Sequence, residues 1–377
     1  MTPRERVLTA LRHQVPDRVP IDLAATTVTS ITCPAYHRLR EFLGLKPDPA
    51  VRLSHLHQGT VHAAEDLLQH YAVDFRTVTM PKSPRAFVVR HLDEERFEDE
   101  YGIVWKRSTY DYSPMVAPLA AASIEDIGRA SWPDPKDPAR VRGLAEEAKR
   151  LFETTEYAVV ADIMCRGPFE LAVKLRGMEQ FLTDLVLDER FADALLERIR
   201  ELLLGLWDVY LEAVGPYAQV VCQGDDVGMQ TGLLLSPQLY RRFIKPVHRA
   251  IYGRIRERTG AKIFMHSCGS IREIIPDLIE VGVDALNPIQ RNARGMDIHA
   301  LKREFGRDLC FWGGGIDVQR DLPGASLEEI ERTVRQTVEG VGEGGGYVFA
   351  LTHNLQPDVE PRKVDWAYRS ALARPAL

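Results

Sequence analysis

The second half of the chain alternates between two hydrophobic periods. Short, nearly continuous apolar runs ("YAVVADIMC", "AQVVCQGDD", "KIFMHSC", "DALNPIQ", "DLCFWGGGI" and "YVFALTHNL") are separated by longer stretches whose apolar residues recur every three or four positions. A strand buried on both faces reads as a continuous apolar run, and parallel sheets covered by crossover helices bury their strands that way. The intervening stretches predict helices with one packed face. Phe243, Val247, Ile251 and Ile255 repeat every four residues, with Arg242, Arg249, Arg254 and Arg256 largely on the other side. Ser326 and Glu329 have capping-box spacing ahead of the stripe Leu327, Ile330, Val334 and Val338, and Gly342 marks its end. The leucine-rich pattern from about Phe191 to Val214 keeps Glu197, Arg198, Arg200, Glu201 and Asp208, so it predicts a helix with a buried face and not a membrane span.

Before residue 150 the pattern is less regular. "DRVPIDL" and "AVDFRTV" predict two further strands, "DEYGIVWKRSTYDY" a hairpin arm and "SWPDPKDP" a loop. Two early strands and six late ones make eight. That count predicts an α/β chain closed as a (β/α)₈ TIM barrel with irregular N-terminal insertions, with a doubly wound open sheet as the alternative.

Charge and cysteine usage narrow the class. The net charge of −6 comes from 48 basic and 54 acidic residues dispersed along the chain, with no basic block to track a phosphate backbone, so nucleic acid is not an expected partner. Cys33, Cys165, Cys222, Cys268 and Cys310 are odd in number and far apart, which fits reduced thiols better than a disulfide framework. The opening "MTPRERVLTALRHQVPDRVP" is too charged for a secretory signal, and no uncharged apolar run approaches the roughly 20 residues of a membrane span. The expectation is a cytoplasmic protein.

In a barrel the C-terminal strand ends share one face, where active sites are built. Every late strand here ends in polar groups: Cys165 and Arg166, Asp225 and Asp226, His266 and Cys268, Asn287 and Gln290, Asp317 and Gln319, His353 and Asn354. His266 and Cys268 stand two apart, so they point to one side and can converge if the chain curls at Gly269. An imidazole and a thiolate together suit zinc, yet a lone H-x-C also fits a buried strand end. His353, after the last apolar run, is the natural third ligand; a capping or loop histidine is the alternative. "QGDDVGMQTG" reads either as a substrate-binding acid or as an Asx turn. Arg166 could hold an anion. "HLHQGTVH" (His55, His57, His62) lacks an acidic or cysteine partner at ligand spacing and predicts solvated helix or loop histidines. Tyr36, Trp105, Tyr110 and Tyr112 either line a pocket or pack the insertion.

The segments "TPRERVLTALRHQVPDRVPIDL", "GPFELAVKLRGMEQFLTDL", "GDDVGMQTGLLLSPQLYRRFIKPVHRAIYGRI", "KIFMHSCGSIREIIPDLIEVGVDALNPIQ", "LKREFGRDLCFWGGGIDVQRDLPGAS" and "ALTHNLQPDVEP" together resemble the uroporphyrinogen decarboxylase superfamily along nearly the whole length. The resemblance implies a single barrel over residues 1–377, with 1–150 containing the N-terminal strands and insertions. True uroporphyrinogen decarboxylases carry an "MRQAGRY" segment and an "FSD" aspartate that grip the substrate. Here the corresponding strands read "VPIDLAATTVTS" and "VDFRTVTMP", without that cationic grip.

The other branch comprises corrinoid-dependent methyltransferases. In its thiol-methylating members zinc is held by an H-x-C pair and a later cysteine. His266 and Cys268 match the pair, His353 stands where the later cysteine falls, and "NPIQ" offers Asn287 and Gln290 where an acidic residue can complete the sphere. These departures resemble the demethylases that take methyl groups from methoxylated or otherwise methylated small molecules. The resemblance thus implies a methyltransferase of O-demethylase type with zinc on His266, Cys268 and His353. It implies Asp225 and Asp226 as catalytic residues and Arg166, Asn287 and Gln290 as substrate-binding ones. No D-x-H-x-x-G stretch is present, so cobalamin is expected on a separate corrinoid protein. A small methyl donor or acceptor is the other partner, no membrane is expected, and a homodimer is compatible. The alternative is a metal-independent carboxy-lyase acting on a non-porphyrin or porphyrin-like acid through Arg166 and the two aspartates.

Overall fold

Seven of the eight predicted strands pair in one parallel sheet. They are β1 (Phe75–Val78), β2 (Ala158–Ala161), β3 (Val220–Gly224), β4 (Lys262–His266), β5 (Ala285–Asn287), β6 (Cys310–Trp312) and β7 (Tyr347–Val348). Each lies beside its neighbour in chain order, from β1 at one edge to β7 at the other. The computed structural model describes residues 1–80, 90–108, 112–163 and 166–373.

The sheet curls into a half-barrel, and the segment around Ile21 lies between its two edges. Phe349 N donates to Pro20 O (2.9 Å), Asp22 N to Phe349 O (2.8 Å) and Asp74 N to Ile21 O (3.0 Å). "DRVPIDL" predicts a strand here, but only a single bridge, Ile21 to Phe349, forms. Pro20 has no N–H to give to a ladder. The seven-stranded sheet is therefore not closed by a full ladder. Its interior is filled by side chains and is no pore: the Trp312 ring lies 4.6 Å from Phe75 and 5.0 Å from Phe264.

The predicted helices cover the sheet. Glu189–Val214 buries its leucine stripe, and Lys245–Arg258, entered through a π-turn at Tyr240–Ile244, buries Val247, Ile251 and Ile255. Leu327–Gly342 opens with both hydrogen bonds of the Ser326–Glu329 capping box. None of the helices among the described residues is long and apolar enough to cross a membrane.

The N-terminal insertions form two antiparallel sheets. One pairs Ile31–Thr32, Thr60–Val61 and Leu53–His55; the other has four strands and includes the expected arm Val104–Arg107 and Tyr112–Val116. Tyr36 and Trp105 are buried in this layer, with the Tyr36 hydroxyl donating to Asp48 and the Trp105 indole to Asp99. Tyr110 and Cys165 lie outside the described residues. The other four cysteines are free thiols.

Candidate metal centre

Parallel register places Gly224, His266 and Asn287 side by side at the C-terminal ends of β3, β4 and β5. His266 is buried, and its Nδ1 donates to Asn287 Oδ1 at 2.6 Å. The Asn287 amide nitrogen in turn donates to Trp312 O at 2.9 Å, which fixes the amide orientation and therefore the His266 tautomer. The Nε2 lone pair is left for the C-terminal face of the half-barrel. Cys268 Sγ lies 3.4 Å from that Nε2. The His353 ring stands 5.5 Å from the His266 ring.

One ligand atom from each of His266, Cys268 and His353 lies within 4.8 Å of the others. Bonds of about 2.3 Å to sulfur and about 2.0–2.1 Å to nitrogen in a tetrahedral site separate the two ligand atoms by about 3.5 Å. The sulfur–nitrogen distance matches that edge. A thiol, two imidazoles and a supporting amide on the second ring nitrogen are the donors and outer partner that zinc takes.

Gly269 makes the turn that brings Cys268 back. Its φ of +84° lies in the left-handed region, and a Cβ there would sit 2.7 Å from Met229 N and O in the hairpin that follows β3. The backbone N–H groups of this turn are also held by side chains: Cys268 N donates to Asp226 Oδ1 (2.7 Å) and Gly269 N to Gln290 Oε1 (2.8 Å).

The adjacent acids Asp225 and Asp226 diverge. Asp226 is half-exposed, with Oδ1 3.7 Å from His266 Nε2. Asp225 is fully buried; it accepts from Phe169 N (3.1 Å), Glu170 N (2.8 Å) and His248 Nε2 (2.9 Å), capping the helix Pro168–Arg176. A Cβ on Gly167 would stand 2.2 Å from the Asp225 Cβ, so the glycine of "RGPFE" is what admits this carboxylate. Asn287, expected at substrate, is instead fully buried behind His266. The expected anion contact Arg166 lies against the N-terminal layer, its guanidinium 4.9 Å from the Trp105 ring and 3.4 Å from His57 Nδ1.

A cavity of about 280 Å³ opens beside the cluster. Cys268 and His353 form one part of its wall, and Met229, Gln230, Gln290 and Asp317 form others. Burial and the neighbouring His266 hold His353 down to about 4, so it is a neutral imidazole. Burial, then the Asp226 and Glu170 carboxylates, push the Cys268 thiol well up.

Glu170 is a residue that the sequence reading does not single out. Burial, then the Asp226 carboxylate, raise it to about 7, against the pull of Arg166. Its only signal was its place in the first turn of a helix that follows a strand end. His57 is a correction: expected in solvent, it is buried, with its ring 4.1 Å from Trp105 and 5.5 Å from Phe97.

Residues 102–371 match the family described as uroporphyrinogen decarboxylase (URO-D). The uroporphyrinogen decarboxylase of Thioalkalivibrio sulfidiphilus is 30% identical over 166 residues, 41% of this chain and 42% of that protein. The one from Aeromonas salmonicida is 24% identical over 254 residues, 63% of this chain and 65% of that protein. The chain thus spans about half the length of the curated relatives it matches. A methyltransferase from Methanosarcina mazei has the same fold, with a TM-score of 0.66 over 99% of both chains at 18% identity.

Proposed function

The chain belongs to the uroporphyrinogen decarboxylase family, and from that premise we propose that it is a zinc-dependent methyltransferase. It would move a methyl group between a small methylated or methoxylated molecule and cobalamin carried on a separate corrinoid protein. The observation that carries this reading is the convergence of His266, Cys268 and His353 on one point beside a cavity. The fold likeness to the Methanosarcina mazei methyltransferase agrees with it. We also read the half-barrel as a (β/α)₈ barrel over residues 1–377 whose eighth strand is reduced to the Ile21 bridge.

When bound, zinc supplies a Lewis acid at the heteroatom that carries the methyl group. His266, Cys268 and His353 would hold it. Asn287 keeps His266 in the ligating tautomer. Asp226 holds the Cys268 backbone and, being half-exposed, orients the substrate or carries a proton to the leaving atom. Asp225 is a positioning residue: it anchors the helix that presents Glu170. Gln290 offers its amide at the cavity wall, and Arg166 stands outside that wall.

A carboxy-lyase reading needs cations to grip a carboxylate, and this cavity has neither lysine nor arginine among its lining residues. The deciding experiment measures zinc content and methyl transfer from a methyl ether with and without a corrinoid protein. About one zinc per chain is expected, with transfer that requires the corrinoid protein and is lost on chelation. Full activity in zinc-free protein, or no zinc taken up by purified protein, overturns the reading.

A further inference from the structure

The three ligand residues are held in different ways. His266 is fixed through its ring by Asn287, and the Cys268 turn is fixed by the Asp226 and Gln290 side chains. No hydrogen bond from a described residue reaches the His353 ring, which meets the His266 ring edge to face. The backbone must therefore place His353 at the metal point. One residue before it, Thr352 is tied to the half-barrel: its N–H (3.2 Å) and its hydroxyl (3.0 Å) both donate to Ile316 O.

One residue after it, the chain is tied to the N-terminal layer instead. Asn354 is buried; its Oδ1 accepts from Ser30 N (2.7 Å), and its amide nitrogen donates to Gln58 Oε1 (2.9 Å). Leu355 N donates to Ser30 O (2.9 Å), while Leu355 O accepts from the Thr32 N–H and the Thr32 hydroxyl (both 3.0 Å). Leu355 thereby forms a parallel bridge with Ile31, which pairs with Val61 in the three-stranded sheet. Gln58 lies within "HLHQGTVH", so that segment reaches toward the metal centre through its glutamine. His353 is strung between two anchors, one on the half-barrel and one on the N-terminal layer.

We propose that the N-terminal layer holds the third metal ligand: Asn354 and Gln58 are positioning residues that clamp the stretch carrying His353, so zinc binding and docking of the layer on the half-barrel favour each other. The proposal rests on the reading above for His353 as a zinc ligand, but not for methyl transfer. Coupling of this kind is reciprocal: whatever factor the docked layer adds to zinc affinity, zinc adds to the docking equilibrium. The clamp is directional because Ser30 N and the Asn354 amide are buried partners of one another, and lifting the layer takes both hydrogen-bond partners away from Asn354.

The test is zinc affinity of the full chain, by competition with a chromophoric chelator, together with hydrogen exchange of the metal-free and zinc-loaded forms. Zinc is expected to slow exchange of the Ser30, Thr32 and Leu355 amides about fivefold or more, and Asn354→Ala and Gln58→Ala to weaken zinc binding about five- to tenfold. Gln58→Ala removes one half-buried amide, so it decides the matter should Asn354→Ala not fold. Ile199→Val, in the helix Glu189–Val214 and in neither anchor, controls for general loss of stability: it is expected to lower the unfolding midpoint and leave zinc affinity within about twofold. Wild-type affinity in the folded clamp variants, unchanged exchange at the three amides, an equal loss of affinity in Ile199→Val, or no zinc bound by wild type overturns the proposal. Zinc binding that depends on the clamp without methyl transfer to a corrinoid protein would overturn the reaction assigned above and leave this inference standing.

Discussion

Two groups of histidines occur in this chain, and the one that is compact in sequence is not the one that gathers donor atoms. His55, His57 and His62 fall within "HLHQGTVH". His57 spends its ring faces on packing between Trp105 and Phe97, and His55 meets His57 edge to face at 5.2 Å. His266 and His353 are far apart in the sequence, yet with Cys268 they offer ligand atoms within 4.8 Å of one another. Proximity along a chain counts residues, whereas a metal site counts lone pairs. Parallel register converts the first into the second, because it stacks strand ends on one face whatever their separation in sequence.

The sharpest way to break this contrast is to remove one ligand from each group. Cys268→Ala or His353→Ala is expected to drop bound zinc from about one per chain to near zero, an affinity loss of more than about a hundredfold. His55→Ala is expected to leave zinc unchanged. His57→Ala opens a gap between buried aromatic rings, so it should lower the unfolding midpoint while the folded fraction keeps its zinc. Metal analysis after gel filtration reads all four. Zinc retained by Cys268→Ala, or lost from folded His57→Ala, would erase the distinction.

The half-barrel was far more legible than the insertions, for a physical reason. Strands buried on both faces and helices with one packed face leave strong periods, and seven parallel strands with their crossover helices followed from those periods. The exception, "VPIDL", fails where Pro20 withholds an N–H. Short antiparallel strands such as Arg90–His91 and Leu53–His55 have too few residues to establish a period. At the mouth, residue type marked His266, Cys268 and His353. It could not separate Asp225 from Asp226, since which neighbour turns inward depends on the room left by Gly167 on another strand end. Nor could it reveal that Asn287 faces a histidine and not a ligand, because that follows from cross-strand register.

A second, smaller effect concerns what lies behind each group. A hydrogen-bonded chain runs inward from His266 through Asn287 and Trp312 to the buried Asp22, whose Oδ2 accepts from the Trp312 indole at 2.6 Å. Burial raises Asp22 from 3.8 to about 6. The folded state thus favours its protonated form, so this group contributes stability that is present below about pH 4 and lost as the pH rises through about 6. A shift of about two units corresponds to up to about 3 kcal/mol. Asp22→Asn should therefore flatten the pH dependence of denaturant unfolding between pH 4 and 6.5 in the metal-free chain. The N-terminal layer has its own buried acid, Asp99, pushed up by burial beneath Trp105. If Asp99→Asn removed the slope and Asp22→Asn did not, the pH-sensitive acid would belong to the histidine group that packs and not to the one that gathers donors.

The smallest expected effect probes the contrast at a single hydrogen bond. A histidine that packs gives its ring faces to its neighbours, while one that ligates through Nε2 needs its proton on Nδ1. Asn287 supplies that constraint from a position with no access to the cavity. Removing such an outer partner typically weakens metal binding about 10- to 100-fold, or about 1.4–2.7 kcal/mol. Asn287→Ala should fall in that range by competition with a chromophoric chelator. Asn287→Asp keeps an acceptor for Nδ1 but gives up the donor to Trp312 O, so it should retain most of the affinity while losing folding stability. Wild-type zinc affinity in Asn287→Ala would mean that His266 is oriented by packing alone. The two histidine groups would then differ in where they sit and not in how they are held.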